Sequence, residues 1–563
     1  MLENWQGAAP HAASSLFAVA AASWASVAGG KVPQPYLDEF FHVPQAQKYC
    51  KGDFSWDPKI TTPPGLYLIA KLFQPIVGCS TKVLRFQNVL AIVLVFHTVL
   101  HILRLVRERV DPQRPTKESL KLTNEENIKN GLSVNLDGKM PVSNALSAVN
   151  ISLLPPLFFF AALYYTDVMS TAAVLLSYQI FLHKRSPAGD IRNDVSTVFV
   201  GIVALFFRQT NIFWVAVFPA GLTVVQVLER NEPWMQMKEK KPTSILQECW
   251  KTNTVYDGSV YDAGLRDVIM FVLTIVPAAL RKPIVVLRSI ASYVVLLVIF
   301  AGFVAWNGSV VLGDKSAHTA TIHIPQMLYI WPYIALFSAP ILLGPLYRIV
   351  GPFMPPQLKK MLGYTPPKNG PSLPELLPAT LFIAGGLAAV HFNTIVHPYT
   401  LADNRHYVFY IFRILLRHPA VKYIAVPVYY VCAYLSIQAL GSLPVQPENT
   451  KPESKNLRTD PPTKPKPCQV SFVLVWLVAT ALSVVTAPLV EPRYFIIPWI
   501  VWRLHVPYLP VSFTVRGKQY SQDLRLVAET IWLLAINQVV QHLFLYRTFT
   551  WPSEPGKIQR FLW

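Results

Sequence analysis

The feature that most constrains this chain is a series of long stretches without a charged residue. About 20 apolar residues cross the hydrocarbon core of a bilayer. Windows of that kind recur at residues 11–30, 86–103, 145–166, 289–306, 324–347, 376–392, 423–447, 469–490 and 530–546, with weaker ones at 168–182, 268–280 and, interrupted by Arg503, 494–510. Residues 195–228 form an apolar stretch whose one charged residue is Arg208, long enough for two spans meeting at that arginine. Window length alone implies roughly a dozen to fourteen spans. Backbone amides can be satisfied within each helix inside lipid, so the fold class expected is an all-α polytopic membrane protein, one multi-span domain over residues 1–563.

Composition agrees. The 563 residues are 52% hydrophobic and only 14% charged, against about 25% charged in a soluble domain. The net charge of +19 would suggest nucleic acid in a soluble protein. Here basic residues collecting in cytosolic loops explain it better, and no nucleic-acid partner is expected. Five cysteines, odd in number and without a C-x-x-C pair, indicate neither a disulfide framework nor a zinc site. The first window has small residues near Ser26-Val27-Ala28 like a cleavage site, but no basic residue precedes it. It reads as a retained span.

Loop charge sets the orientation. Residues 104–143 and 229–266 are rich in Lys and Arg and read as cytosolic. Residues 31–85 then lie on the opposite side, although they carry Lys31, Lys48, Lys51 and Lys59. Lysines there suit an anionic substrate. The same count puts Arg208–Asn211, residues 307–322 and residues 393–405 on that far side, with a glycosylation sequon at Asn307-Gly308-Ser309. Residues 444–467, rich in Pro and Lys, read as a flexible cytosolic linker.

The far-side segments hold the candidate chemistry. In Tyr36-Leu37-Asp38-Glu39-Phe40-Phe41-His42-Val43-Pro44-Gln45-Ala46-Gln47-Lys48-Tyr49, two adjacent carboxylates follow a span. If helical, the segment aligns Asp38, His42, Gln45 and Tyr49 on one face, unless Pro44 bends it. A carboxylate near lipid can have its basicity raised by desolvation, and could accept a proton from an attacking sugar hydroxyl. The plainer reading is a helix N-cap. Phe207-Arg208-Gln209-Thr210-Asn211 puts an arginine and two amides at a membrane boundary, where snorkelling beside aromatics competes with phosphate or sugar contact. His397-Pro398-Tyr399-Thr400-Leu401-Ala402-Asp403-Asn404-Arg405-His406-Tyr407 gathers groups able to hold a phosphate. Glu491-Pro492-Arg493-Tyr494 is a second such cluster, or simply a charge pair anchoring a helix end.

Together these segments, with Asp57-Pro58-Lys59-Ile60-Thr61-Thr62-Pro63-Pro64-Gly65-Leu66-Tyr67 and the terminal Gln559-Arg560-Phe561-Leu562-Trp563, resemble the eukaryotic dolichyl-phosphate-glucose-dependent α-1,2-glucosyltransferases. The resemblance spans essentially the whole chain; the 444–467 linker and Pro492 depart from the family pattern. It implies a GT-C-type glycosyltransferase of the endoplasmic reticulum membrane with its active site facing the lumen. The implied donor is dolichyl-phosphate glucose, and the acceptor is Glc2Man9GlcNAc2 on dolichyl diphosphate. On this reading Asp38 is the general base, with Glu39 as the alternative. Arg405, His406, His397 and Arg493 are candidates for the donor phosphate. His42, Gln45, Tyr49, Arg208, Asn211, Asp403 and Asn404 are candidates for the substrate cavity. No metal or further cofactor is expected. A neighbouring dolichyl-phosphate-sugar transferase, a transporter or channel, and a membrane regulator are the competing readings.

Overall fold

The computed structural model describes residues 2–110, 142–184, 190–229, 240–261, 263–315, 321–361, 374–441, 468–487, 489–509, 511–515 and 518–563. The linker 444–467 and most of the 104–143 loop lie outside the described residues, as do parts of the 229–266 and 307–322 loops.

The chain is a bundle of α-helices. Among the described residues, six helical stretches are long and apolar enough to cross a membrane: Ala9–Lys31, Thr81–Arg107, Gln209–Leu228, Leu376–Asn393, Pro419–Leu440 and Leu524–Tyr546. Two sharply bent pairs raise the number to as many as eight, Leu265–Arg281 with Pro283–Ser289 and Gln326–Phe337 with Ala339–Phe353, turning by 96° and 99°. The dozen to fourteen windows also take in stretches that form shorter apolar helices, among them Ala291–Asn307 and Val470–Val484, and prolines interrupt others. A proline lacks the N–H that continues a helix but fits its first turn. Pro283 and Pro340 each open a new helix beyond a break. Pro155-Pro156 split the 145–166 window into Val142–Ser152 and the short, fully buried Pro155–Phe160. The 195–228 stretch does break at Arg208, whose backbone is extended between the helix Ile191–Leu205 and a 3₁₀ turn at Gln209–Asn211.

The core is aromatic, with Trp476, Trp499, Trp502, Phe96, Phe159 and Phe160 fully enclosed. The outside keeps large apolar residues such as Leu16, Leu90, Val298, Ile424 and Ile531 exposed, as a lipid-facing surface requires. The first helix, α1 (Leu2–Lys31), joins the core through Phe17, Ala21 and Trp24, and the Trp24 indole donates to the Phe159 carbonyl at 3.0 Å. Two short antiparallel hairpins, Val511–Val515 with Lys518–Gln522 and Phe549–Trp551 with Glu554–Gln559, are the only strands among the described residues.

After α1 come α2 (Glu39–Cys50), α3 (Gly65–Val77) and α4 (Thr81–Val110). Cys50 and Cys79 are joined by a disulfide, their Cα atoms 6.5 Å apart. The cysteine pattern indicated no disulfide framework, and this one bridge is the exception: 29 residues separate the two in sequence, and the folding of α2 against α3 brings them together. The segments assigned to the far side also meet. Asp314 N donates to the Pro58 carbonyl at 2.7 Å and Leu312 N to that of Thr61 at 3.3 Å. The Gln209 amide reaches the same Thr61 oxygen at 2.8 Å.

Candidate active site

The site begins with a strained turn. Leu37 has φ +52°, a left-handed conformation that costs a non-glycine residue about 1–2 kcal/mol. Its neighbours hold it there. The Glu39 carboxylate accepts from Tyr36 N at 3.0 Å, from Tyr164 N at 2.7 Å, and from Arg85 Nε and Nη2 at 2.8 and 2.6 Å. Tyr165 Oη accepts from Asp38 N at 3.2 Å, and Tyr36 Oη accepts from Arg560 N at 2.7 Å. The turn therefore fixes where Asp38 points.

Asp38 occupies the N-cap position of α2 but does not cap it. Its carboxylate turns away to accept from Arg493 Nη1 at 3.0 Å, with the side chain 42% exposed. Arg493 sits in the 3₁₀ turn Pro492–Phe495, next to its N-cap Glu491. It donates to Glu491 through Nε at 3.0 Å and Nη2 at 2.7 Å, and lies over the Phe160 and Tyr165 rings. The same Nη1 lies 3.6 Å from Asp167 Oδ2. Asp167, at the start of the helix Thr166–His183, pairs through Oδ1 with Arg208 Nη2 at 3.0 Å. Its Oδ2 and Arg208 Nε make no hydrogen bond among the described residues.

Three carboxylates thus face two arginines. Asp38 is the most exposed of the three at 42%, against 2% for Asp167 and 18% for Glu491. Partial burial alone would raise the Asp38 carboxyl, as the sequence reading expected. The charge of Arg493 and its hydrogen bond, with the His42 and His406 imidazoles adding to them where protonated, outweigh it and hold Asp38 below the usual carboxylate range. The expectation of raised basicity in the free protein is corrected accordingly.

α2 is helical through Pro44 and buries His42, Gln45 and Tyr49 on one face, but these serve two ends. His42 faces the charged cluster, its Nδ1 2.6 Å from Tyr67 Oη. Burial pushes its imidazole down to about 4 while Asp38 pulls the other way, so it is neutral at physiological pH. Gln45 instead holds the following loop, donating to the Ser55 carbonyl at 2.8 Å and accepting from Asp57 N at 3.2 Å. Tyr49 packs on Phe54 and Tyr67. Asn211 is enclosed and bonded to Ser170 and the Ala204 carbonyl.

The 397–406 residues form a second group beside the first. Arg405 binds Asp403 through Nε and Nη2 (2.9 and 2.7 Å) and Gln559 through Nη1 (3.1 Å), over the Trp551 ring. Burial would raise the Asp403 carboxyl, but its bonds to Arg405 bring it below the usual range. His406 is 30% exposed, with Nδ1 3.0 Å from the Trp563 carbonyl oxygen and Nε2 3.7 Å from Asp403. Asn404 Oδ1 accepts from the Trp551 indole at 2.9 Å. His397 accepts from Tyr399 N at 3.3 Å, capping the short helix Pro398–Ala402. Among the described residues no three His, Cys, Asp or Glu stand together as metal ligands would.

The sequence reading missed Asp167. One signal was available: a lone carboxylate opening an otherwise apolar window is a functional candidate by default.

The fold and this cluster define a polytopic membrane protein with an acidic, arginine-bridged site beside an aromatic wall. The DIE2/ALG10 family model matches residues 32–504. A protein of Emericella nidulans, "Dol-P-Glc:Glc(2)Man(9)GlcNAc(2)-PP-Dol alpha-1,2-glucosyltransferase", is 40% identical, the match covering 96% of each chain. Proteins bearing the same name from Mus musculus and Arabidopsis thaliana are 32% and 31% identical, covering 94% of this chain and 93% and 95% of theirs. No solved structure matches. The chain belongs to the DIE2/ALG10 family.

Proposed function

We infer that this protein is the α-1,2-glucosyltransferase that its relatives' names describe. It transfers glucose from dolichyl-phosphate glucose to Glc2Man9GlcNAc2 on dolichyl diphosphate and so completes the precursor for protein N-glycosylation. The observation that carries the reading is the surplus carboxylate: Asp38, ionised and part-exposed, in a cluster whose other two carboxylates have an arginine each.

A β-linked donor and an α-linked product require one inversion. The acceptor's 2-hydroxyl oxygen bonds to the anomeric carbon, and the bond from that carbon to the phosphate oxygen breaks. Its electron pair leaves with dolichyl phosphate, and the hydroxyl proton passes to Asp38. A positioned base contributes about 10²–10⁴-fold. Glu39, bonded four times, has no comparable freedom to take that proton. Arg493 is committed to carboxylates and serves Asp38 rather than the donor. Arg405 and His406 are left to meet the phosphate. Among the described residues, three of the five guanidinium N–H groups of Arg405 are engaged and two are not. Basic side chains suffice for a monophosphate, so the reading assigns no resident metal; turnover should be unchanged by chelator.

The Cys50–Cys79 bridge supports an oxidising compartment for this face, and with it the lumen of the endoplasmic reticulum. The test is direct. Purified protein in nanodiscs should convert dolichyl-phosphate glucose and the diglucosylated acceptor to a triglucosylated product, with a new 2-linked glucose by methylation analysis. Absence of that product, or mannose transfer instead, refutes the reading.

A further inference from the structure

Asp167 has no part in the chemistry above, and its geometry is unusual. The carboxylate is 2% exposed, one oxygen bound by Arg208 and the other without a hydrogen bond among the described residues, 3.6 Å from Arg493 Nη1. That nitrogen is the one donating to Asp38 at 3.0 Å. We propose that Asp167 is a positioning residue for the general base: it neutralises Arg208 and competes for Arg493, and so keeps Asp38 the surplus carboxylate of the cluster.

This role rests on the reaction proposed above and on charge pairing. The titratable and charged groups on Asp38 are Arg493, His42, His406 and the Tyr67 and Tyr165 phenols, with Asp167, Glu491 and Arg208 acting on Arg493 and His42. Of these, His42 is neutral. With Asp38 ionised, and leaving the part-exposed His406 imidazole aside, the three carboxylates and two arginines sum formally to −1. When Asp38 takes the hydroxyl proton, the remaining charges match one to one, Asp167 with Arg208 and Glu491 with Arg493. Arg493 need move only a few tenths of an ångström to come within hydrogen-bond distance of Asp167. Without the Asp167 charge, both arginines face only Asp38 and Glu491. Asp38 then becomes a required counter-ion, and proton uptake is opposed. Asp167 is too enclosed to touch the reacting atoms, so it acts through Arg493.

The experiment compares Asp167→Asn, Arg493→Gln and the double variant, each as the purified full chain with both lipid-linked substrates. Asp167→Asn should lower kcat about 10- to 100-fold, a part of the about 10²–10⁴-fold that the base itself supplies, with both KM values within about threefold. Asp167→Glu should recover most of the loss. The double variant should be no slower than Arg493→Gln alone, because the two residues act as a unit. Multiplying penalties, a loss confined to KM, or unchanged turnover in Asp167→Asn would each overturn the proposal. If Asp167→Asn fails to fold, Arg208→Gln supplies the opposite sign. It leaves Asp38 with more uncompensated negative charge and should move the acid limb of kcat/KM upward in pH; an unmoved limb refutes the role. A wild-type protein inactive with dolichyl-phosphate glucose would instead refute the reaction itself.

Discussion

Asp38 and Glu39 are neighbours in sequence, yet the fold treats their carboxylates in opposite ways. Glu39 is fully enclosed and its oxygens take four hydrogen bonds, two from Arg85. The same closed arrangement recurs far away, where Arg503 binds Glu529 at 2.8 and 2.6 Å and Asn150 completes the set at 2.8 Å. Asp38 has one arginine bond, shares that arginine with two other acids, and keeps 42% of its side chain exposed. A closed ion pair fixes helices. An open one, with a carboxylate in excess, can take a proton and return to balance. The chemistry of the side chain is the same in both; the number of partners decides its use.

The contrast can be broken at its closed end first. Arg85→Leu should strand the buried Glu39 charge and cost about 3–5 kcal/mol, read as a large fall in thermal midpoint. Activity should then be lost in proportion to unfolded protein. A stable Arg85→Leu protein would mean that Glu39 is not held as the structure shows.

At the open end, Arg405→Ala should raise the KM for dolichyl-phosphate glucose about 10- to 100-fold, as expected for one charge-assisted contact. The acceptor KM should barely move. Equal changes in both would remove Arg405 from the donor site.

The smallest effect concerns pH. His42 is held neutral with its titration pushed down to about 4, against 6.5 in the unfolded chain. Between those values the unfolded state binds the extra proton, so this contribution to stability is complete above about pH 6.5 and falls as pH drops toward 4. His323, fully enclosed and also pushed down to about 4 by burial, adds to the same slope. His42→Asn should flatten the dependence of thermal midpoint on pH in that window; an unaltered slope would contradict the assignment.

How much of this the sequence disclosed follows from distance along the chain. Asp38 and His42 lie in one contiguous segment, so their adjacency on α2 was legible from helical spacing. The role of that face was not: His42 looks into the site, while Gln45 and Tyr49 turn to loop and core packing. Arg493 lies 455 residues from Asp38, and no local pattern specifies that Asp167, Arg208 and Arg493 converge. The Cys50–Cys79 bridge was hidden for the same reason, since an odd cysteine count says nothing about which two meet. The all-α membrane architecture was readable because hydropathy is local. The number of full spans was not, because Pro283 and Pro340 turn apolar runs into bent pairs that window length counts as crossings.

The central claim is that Asp38 is the proton acceptor while Glu39 is scaffold. It is tested most directly by glucose transfer in purified, folded Asp38→Asn beside wild type, with the thermal midpoint of each measured. The account predicts a kcat lower by about 10²- to 10⁴-fold with the midpoint nearly unchanged. Turnover within a few-fold of wild type in a folded Asp38→Asn protein would contradict it.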